Sequence, residues 1–250
     1  MARFSVITPC FNHGKYIHEM LTSVLNQTYR DFEVIIVNDG STDDTKLILD
    51  GIIHDKVKII HTSNYGPAHA RNLAINESSG SYILNLDADD KIAPAYLEKC
   101  VEIFDNHNNI GIIYSEVQLI GANDGPYLIP EYSFENMLKA NCIGSTSAFR
   151  KSDFLKTTGY SSEMIYGYED FEFWLSILEL GRDVYKIPET MVFYRTYHNH
   201  EDCRSGRRKL DDWKMQFVVI QAFQRHKSLY SKAPEVFKIF SDLESSFMNN

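Results

Sequence analysis

The first 120 residues alternate short apolar runs with amphipathic stretches. Four apolar runs, FSVIT, EVIIV, VKIIH and YILNL, have the length and the β-branched content of buried strands. Between the first two, apolar residues recur at helical spacing, as at Ile17, Leu21 and Val24. Continuous apolar runs are typical of strands covered on both faces. The pattern predicts an α/β fold with a Rossmann-like, mostly parallel, doubly wound sheet.

Turn and capping residues predict where these elements end. NDGSTDDT predicts a turn that leads into a helix. The next helix, after the third strand, is predicted to begin near Pro67 and to end at Gly80. The stretch PAYLEKCVEIF predicts a helix and IGIIYSEVQLI a long strand.

The pattern is less regular after residue 121. GANDGPYLIP predicts a loop, GYEDFEFWLSILELG predicts a helix that buries Phe171 and Trp174, and VYKIP and TMVFYRT predict two strands. The last part of the chain predicts helices. We therefore divide the chain into two halves of one domain, residues 1–120 and 121–204, and a helical C-terminal extension, residues 205–250.

The charge of the chain limits its partners. The net charge of −9 argues against a nucleic-acid partner. Residues 204–232, however, hold eight Lys or Arg against two Asp. These basic helices are expected either to rest on an anionic membrane surface or to form a lid or a homodimer contact with a solvated basic face.

The N-terminal residues predict the cellular location. MARFSVITPC has no apolar signal segment, so we expect a cytoplasmic protein, with peripheral contact to the inner face of the membrane if the basic helices bind there. The four cysteines are not closely spaced, and we expect reduced thiols.

Three carboxylates, Asp87, Asp89 and Asp90, follow the fourth strand. Ligands of open α/β sheets gather at the carboxyl ends of the strands. If the backbone stays extended, Asp87 and Asp89 point to the same side. Two carboxylates there suit Mg²⁺ or Mn²⁺, whose open positions are taken by water and phosphate oxygens. The alternative is a solvated acidic turn that caps the helix beginning near Pro94.

Neighbouring strand ends carry groups that suit a nucleoside diphosphate. Asp39 could accept hydrogen bonds from a nucleobase or ribose, or else form an Asx-turn. Arg71, in the first turns of a helix, could pair with a diphosphate or stack on a base, or else pair with a neighbouring acid. Pro9 would shape a loop against the ligand. The joint occurrence of these groups favours the ligand-binding interpretation.

At this point the chain resembles a known family. VITPCFNHGKYIHEMLTSVLNQTYRDFEVIIVNDGSTDDT, NYGPAHARNLAI and LDADD are similar to the inverting family 2 glycosyltransferases of the GT-A fold. GYEDFEFWLSIL and FYRTYH continue the resemblance more weakly. It implies sugar transfer from a nucleotide donor, most often a UDP-sugar, to an acceptor hydroxyl. It also implies that residues 1–120 bind the donor and that residues 121–204 bind the acceptor and carry the catalytic base.

The same resemblance implies roles for individual residues. Asp89 would ligate Mn²⁺ or Mg²⁺, and Asp87 would lie by the ribose and the metal. The residues implied to bind the nucleotide sugar are Thr8, Pro9, Asp39, Arg71, Asp87 and Ala88.

The base that activates the acceptor is implied to be Asp170, in an E-D motif. Glu169 is the alternative base, or a group that positions the acceptor. Both acids begin a predicted helix, whose N-terminus favours the ionised form of a carboxyl group. Without the resemblance, helix capping is the simpler interpretation.

The FYRTYH segment departs from the family. Relatives often have a histidine, near the metal or diphosphate, where this chain has Tyr197, and His198 comes one residue later. A slip of one residue in a strand reverses the side-chain direction. Either a bulge restores the geometry or His198 is not a ligand. His198 stays a candidate metal ligand, with His200 behind it.

Together with these observations, the resemblance implies an inverting glycosyltransferase, a hexosyl- or N-acetylhexosaminyltransferase of bacterial surface polysaccharide synthesis. The acceptor is expected to be a saccharide or a lipid-linked saccharide. The alternatives are a non-catalytic nucleotide-sugar-binding protein and a sugar nucleotidyltransferase, although TPCFNHGK lacks the Gly-rich character expected of the latter. No G-x-G-x-x-G follows the first strand, which argues against a dehydrogenase.

Overall fold

The computed structural model describes residues 3–198 and 212–248, and within them one sheet contains nine strands. The strands are β1 (Phe4–Cys10), β2 (Phe32–Asp39), β3 (Val57–Thr62), β4 (Tyr82–Asn85), β5 (Lys91–Ile92), β6 (Ile110–Gly121), β7 (Gly125–Tyr127), β8 (Ala148–Arg150) and β9 (Asp183–Thr196).

The helices of the described residues lie between and after these strands. They are α1 (Gly14–Leu25), α2 (Thr45–Asp50), α3 (Pro67–Asn76), α4 (Tyr96–Asn106), α5 (Phe134–Lys139), α6 (Lys151–Phe154), α7 (Glu169–Glu179), α8 (Asp212–Arg225), α9 (Lys227–Tyr230) and α10 (Pro234–Met248).

The sheet has the order β3-β2-β1-β4-β8-β6-β9-β5, with β7 paired to β6. The first four strands of this order are parallel. Beyond them, β8 is antiparallel to both β4 and β6, and β9 is parallel to β6. The order changes direction at β1, between β2 and β4, which creates the crevice where open α/β sheets bind ligands. The predicted Rossmann-like α/β class is confirmed.

Each central strand contributes to two cores. Val6 packs with α1 and α4 on one face of the sheet, and Ile7 packs with α3 and α7 on the other. The same division separates Ile83 from Leu84 in β4. Because successive strand residues point to opposite faces, burial on both sides requires the continuous apolar runs seen in the sequence.

Several predicted boundaries are wrong for physical reasons. Helix α3 ends at Asn76, four residues before Gly80. VYKIP and TMVFYRT form the single strand β9, because the register slips between Ile187 and Thr190 and accommodates the proline there as an irregularity. Strand β7 lies in GANDGPYLIP, which was predicted as a loop, and β5 lies where no element was predicted, because two or three residues carry no periodicity.

The C-terminal helices pack against α7. Glu172 of α7 is buried and accepts a hydrogen bond from Arg225 Nε at 2.7 Å, and His226 Nε2 lies 3.3 Å from the same oxygen. Arg225 also pairs with Glu163, and Lys227 pairs with Glu244. These basic side chains are therefore neutralised within the fold. The extension is helical where it is described, and residues 205–211, with the basic residues among them, lie outside the described part.

None of the helices described is long and apolar enough to span a bilayer. The cysteines at positions 10, 100 and 142 are buried free thiols, and Cys203 lies outside the described residues.

Gly80 provides a test of the packing between β1 and β4. A Cβ atom at Gly80 would lie 2.5 Å from Ser5 Oγ and 2.7 Å from Ser5 N, a backbone atom that cannot easily move. We expect Gly80→Ala to lower the free energy of unfolding by about 1–3 kcal/mol, because overpacking displaces the backbone. Urea denaturation measures the change.

Gly51→Ala is the matched control for this prediction. Its Cβ would lie 3.4 Å from Ile48 O, an ordinary contact, and Gly51 already has a right-handed helical conformation. We expect a change of at most about 1 kcal/mol, in the stabilising direction. Equal destabilisation by the two substitutions would contradict the packing seen at Gly80.

Candidate active site

A cleft of about 1080 Å³ opens at the carboxyl ends of β1, β2 and β4. Of the site residues expected from the sequence, those that line it are Pro9, Asp39, Arg71, Asp87, Ala88, Asp89, Glu169 and Asp170. The cleft thus brings together donor-site and base candidates that are separated by up to 160 residues in the chain. Topology explains this, because the loops that follow parallel strands meet at one edge of the sheet.

Arg71 joins the parts of this cleft. Its guanidinium is buried and donates to Asn85 Oδ1 at 2.9 Å, to Glu169 Oε1 at 2.7 Å and to Asp87 Oδ1 at 2.9 Å. Burial alone lowers the pKa of Arg71, but Asp87 and Glu169 outweigh it and raise the pKa above the ordinary value. One cation therefore fixes the end of β4 and the first residue of α7 relative to α3.

The acidic segment after β4 is a turn and not an extended strand. Asp90 N donates to Asp87 O at 3.1 Å, so the condition under which strand alternation would align Asp87 and Asp89 is not met. Asp87 and Asp89 nevertheless both line the cleft. The turn brings them together, and the alternation of side chains along a strand plays no part.

Asp89 lies between an imidazole ring and a tyrosine hydroxyl. Its Oδ1 is 3.7 Å from His13 Nδ1, and its Oδ2 accepts a hydrogen bond from the Tyr197 hydroxyl. Burial raises the pKa of Asp89, while His13 opposes the rise. The protein thus keeps a carboxylate with little positive charge around it at the edge of the cleft.

Asp90 lies beneath the same turn and is fully buried. Its Oδ1 accepts from Arg195 N at 2.9 Å, whereas its Oδ2 has no hydrogen-bond partner among the described residues. Burial raises the pKa of Asp90, and the charges of Asp89 and Asp87 raise it further. Arg71 balances Asp87, but Asp89 and Asp90 are crowded acids with little cationic compensation, and together with the unpartnered Asp90 oxygen they fit a hard divalent cation nearby.

The described residues do not form a complete protein cage for a metal. They contain no group of three or more His, Cys, Asp or Glu side chains placed to hold one ion together. The oxygen donors Asp87 and Asp89 therefore suit a metal that takes its other ligands from phosphate and water.

The remaining predicted donor-site residues differ in placement. Asp39 is buried and accepts from Thr62 Oγ1 at 3.1 Å, Tyr65 N at 2.9 Å and Gly66 N at 2.8 Å. It organises the loop before α3 while still lining the cleft. Thr8 is fully buried, donates to the Met20 sulfur and is not among the residues that line the cleft.

The segment after β9 places Tyr197, and not His198, at the acids. Tyr197 lines the cleft and bonds to Asp89. His198 is exposed and lines a separate depression of about 290 Å³. His200 lies outside the described residues. His198 does not line the cleft that holds the acids, and its role as a metal ligand stays a prediction that rests on the resemblance.

Glu169 and Asp170 have different environments at the start of α7. Glu169 is buried and paired with Arg71, so its charge is neutralised. Asp170 Oδ2 accepts from Asn141 Nδ2 at 3.1 Å. Burial, and then the charge of Glu169, raise the pKa of Asp170 to about 6. The helix N-terminus was expected to favour ionisation, but desolvation and a neighbouring like charge outweigh it here.

Four of the described residues that belong to this site were not predicted for it: His13, Asn85, Asn141 and Tyr197. Asn85 interrupts a buried apolar run, which is a signal that sequence reasoning could have used. Tyr197 occupies the family's histidine position, but only coordinates show that it reaches Asp89. Asn141 lies in an irregular loop with no pattern, so nothing in the sequence indicated its contact with Asp170.

Comparisons with known proteins bear on this geometry. The family model described as glycosyl transferase family 2 matches residues 5–213. The putative teichuronic acid biosynthesis glycosyltransferase TuaG of Bacillus subtilis is 33% identical over 218 residues, which cover 84% of this chain and 85% of that relative.

Two solved structures share the fold. TarS 1–349 of S. aureus, in complex with UDP-GlcNAc, has a TM-score of 0.73 at 20% identity. The match covers 99% of this chain and 73% of the TarS chain. The mannosyltransferase PcManGT of Pyrobaculum calidifontis, in complex with GDP-Man and Mn²⁺, has a TM-score of 0.68 at 18% identity. The match covers 98% of this chain and 74% of the PcManGT chain. These likenesses confirm the expected GT-A fold.

Removing the Arg71 charge tests the ion-pair network. In Arg71→Met, the buried Glu169 loses its cation, and we expect the free energy of unfolding to fall by about 3–5 kcal/mol at pH 7. The loss should be smaller at pH 5, because Glu169, buried without the guanidinium, then binds a proton more readily. Chemical denaturation at both pH values measures it.

Tyr160→Phe is the control for the Arg71 substitution. The Tyr160 ring lies 5.5 Å from the Arg71 guanidinium, and its buried hydroxyl has no hydrogen-bond partner among the residues described. Removing that hydroxyl should change stability by less than about 1 kcal/mol. The network is refuted if both variants lose the same stability or if the Arg71→Met loss does not depend on pH.

Proposed function

This chain belongs to glycosyl transferase family 2, and we propose that it is an inverting enzyme that transfers a sugar from a UDP-sugar to a hydroxyl group of a saccharide or lipid-linked saccharide. The observation that carries the proposal is that one cleft joins the acidic turn at Asp87 and Asp89 to Asp170, with Arg71 between them. Direct displacement needs a group that stabilises the leaving group on one side of the reacting carbon and a base for the acceptor hydroxyl on the opposite side. The acidic turn and Asp170 can supply these two functions.

We propose that the donor binds over the ends of β1, β2 and β4. Pro9, Asp39 and Ala88 line this part of the cleft, and Asp39 holds the loop that would face the nucleobase. TarS in complex with UDP-GlcNAc and PcManGT in complex with GDP-Man, which share the fold, support a nucleotide-sugar donor. A hexosyl or N-acetylhexosaminyl group fits this proposal.

Asp89 and Asp87 would hold Mn²⁺ or Mg²⁺ beside the diphosphate. A divalent metal there would supply Lewis-acid stabilisation of the negative charge that develops on the leaving nucleoside diphosphate. The complex of PcManGT with Mn²⁺ supports this role. The Tyr197 hydroxyl orients Asp89 through its hydrogen bond, and Arg71 orients Asp87.

Asp170 is the proposed base. It must take the proton from the acceptor hydroxyl as that oxygen attacks the anomeric carbon. A pKa near 6 leaves Asp170 ionised at neutral pH yet basic enough to accept a proton. Glu169 is buried and neutralised by Arg71, which favours a positioning role for it over that of a base.

The proposed setting is synthesis of a bacterial surface polysaccharide, on the cytoplasmic side of the membrane. The relative TuaG, named for teichuronic acid biosynthesis, supports a polysaccharide product. The C-terminal helices would contact a membrane surface or a second copy only through groups other than Arg225 and Lys227, which are already paired within the fold.

Substitutions at Asp89 and Asp170 test the two roles separately. With a UDP-sugar panel, Mn²⁺ and methyl glycosides as acceptors, Asp170→Asn should lower kcat by about 10²–10⁴-fold while donor binding changes little. Asp89→Asn should weaken metal-dependent binding of UDP and abolish UDP release. Coupled UDP detection and calorimetry give the two readouts.

Asp55→Asn makes the same charge change on an 89% exposed side chain outside the cleft and should leave both readouts unchanged. UDP-sugar binding without UDP release, for every donor and acceptor tried, would identify a non-catalytic binding protein instead. Pyrophosphate-dependent formation of UTP would identify a nucleotidyltransferase.

The pKa of Asp170 gives a pH dependence with a definite sign. Because the base must be ionised, kcat/KM should be constant above pH 7 and fall about tenfold per pH unit once the pH drops below about 6. Initial rates between pH 5 and pH 8, with donor binding measured at each pH, check this. A rate that stays level down to pH 5 would rule out Asp170 as the base.

A further inference from the structure

The cleft continues past the acidic turn and Asp170 into a half rich in aromatic residues. The tyrosines that line it there are Tyr127, Tyr166, Tyr168 and Tyr194. Val117 and Val192 also line the cleft, as do Lys139 at the end of α5 and Asn141, which bonds Asp170. Apart from Asn141, which bonds the proposed base, none of these residues has a part in the proposed donor site or in the base, so their arrangement needs its own explanation.

The pairing of β6, β7 and β9 places part of this aromatic surface on one face of the sheet. Tyr127 of β7 lies opposite Val117 of β6, and Val117 lies opposite Val192 of β9. Tyr194, two residues further along β9, points to the same face. The Tyr127 and Tyr194 rings stack with centroids 5.8 Å apart and planes at 16°, and Tyr127 is 47% exposed. A supported ring therefore presents an open face to the cleft.

Tyr168 connects this surface to the proposed base. It precedes α7 with φ of 64°, a left-handed conformation that is uncommon for a residue other than glycine. Its ring packs edge-on against Phe171, with centroids 6.5 Å apart. Burial raises the pKa of Tyr168, and Asp170 and Tyr127 are the neighbouring groups that raise it further. Strained backbone at such a place often serves a ligand.

We propose that Tyr127 and Tyr168 form an acceptor subsite in which a pyranose ring of a saccharide stacks on the Tyr127 face, so that one of its hydroxyl groups lies at Asp170. This inference rests on the proposed function and specifies how the acceptor is held. The C–H bonds on one face of a pyranose carry partial positive charge and meet the negative face of an aromatic ring. The sugar hydroxyls at the ring edge need polar partners.

The mixed lining of the cleft favours a saccharide over a lipid chain. Lys139, Asn141 and the tyrosine hydroxyls lie among the apolar groups, as a ligand with both C–H faces and hydroxyl edges requires. A lipid chain would exclude water from the exposed Lys139 ammonium, at a cost.

Saccharide binding can be measured without turnover. The probes are methyl α- and β-glycosides of glucose, galactose, N-acetylglucosamine, N-acetylgalactosamine and glucuronic acid, added to the full chain saturated with UDP and Mg²⁺. Saturation-transfer difference NMR gives the dissociation constant and the sugar protons that touch the protein. We expect the axial C–H protons of one face to receive the largest transfer from at least one glycoside.

Tyr127→Ala should weaken binding of that glycoside about tenfold, Tyr127→Leu should weaken it similarly, and Tyr127→Phe should retain it, because only the ring face matters. The control is Tyr185→Ala, a stacked tyrosine of β9 that is 38% exposed and outside the cleft. Tyr168→Phe should also retain binding, whereas Tyr168→Ala should lose it.

Each result other than these overturns the subsite. No glycoside binding to the parent chain at 50 mM, or equal binding by Tyr127→Ala and the Tyr185→Ala control, rules out stacking on Tyr127. If Tyr127→Ala instead reduces sedimentation with phosphatidylglycerol vesicles while glycoside binding is unchanged, the surface faces lipid. UDP release by the parent chain is measured separately. Its absence would refute the proposed function, whereas the subsite is tested by the glycoside binding alone.

Discussion

A single buried cation, Arg71, holds the candidate active site together. Its guanidinium contacts Asn85, Asp87 and Glu169, which belong to the end of β4, the acidic turn and the start of α7. A buried guanidinium is tolerated only if its donors are satisfied and its charge is balanced, and these three partners do both. The geometry of the donor half and that of the catalytic half are therefore coupled through one side chain.

Electrostatic balance differs between the acids around this cation. Glu169 and Asp87 face Arg71, whereas Asp89 and Asp90 have raised pKa values because burial and mutual repulsion are poorly compensated. Asp170, next to Glu169, lies between these extremes. Desolvation and neighbouring charges differ from one acid to the next. These few acids can therefore serve separate purposes.

The C-terminal helices support this arrangement from behind. Glu172, on the same helix as Glu169, is held by Arg225 of α8, and His226 lies between Glu172 and Glu179. Helix α7 is thus fixed at its start by Arg71 and along its length by the extension. The position of Asp170 depends on both sets of contacts, which join distant parts of the chain.

Local patterns in the sequence determined the alternation of strands and helices and the acids at the strand ends, because periodicity and turn residues act over a few positions. They also pointed to Arg71 as a candidate ligand-binding residue, whereas only the family resemblance implied a role for Asp170 as the base. Only the tertiary structure decided that Arg71 pairs with Glu169, that residues 87–90 form a turn, that Tyr197 and not His198 reaches Asp89, and that Asn141 bonds Asp170. Each of these depends on side chains far apart in the chain, whose distance and desolvation no local pattern encodes.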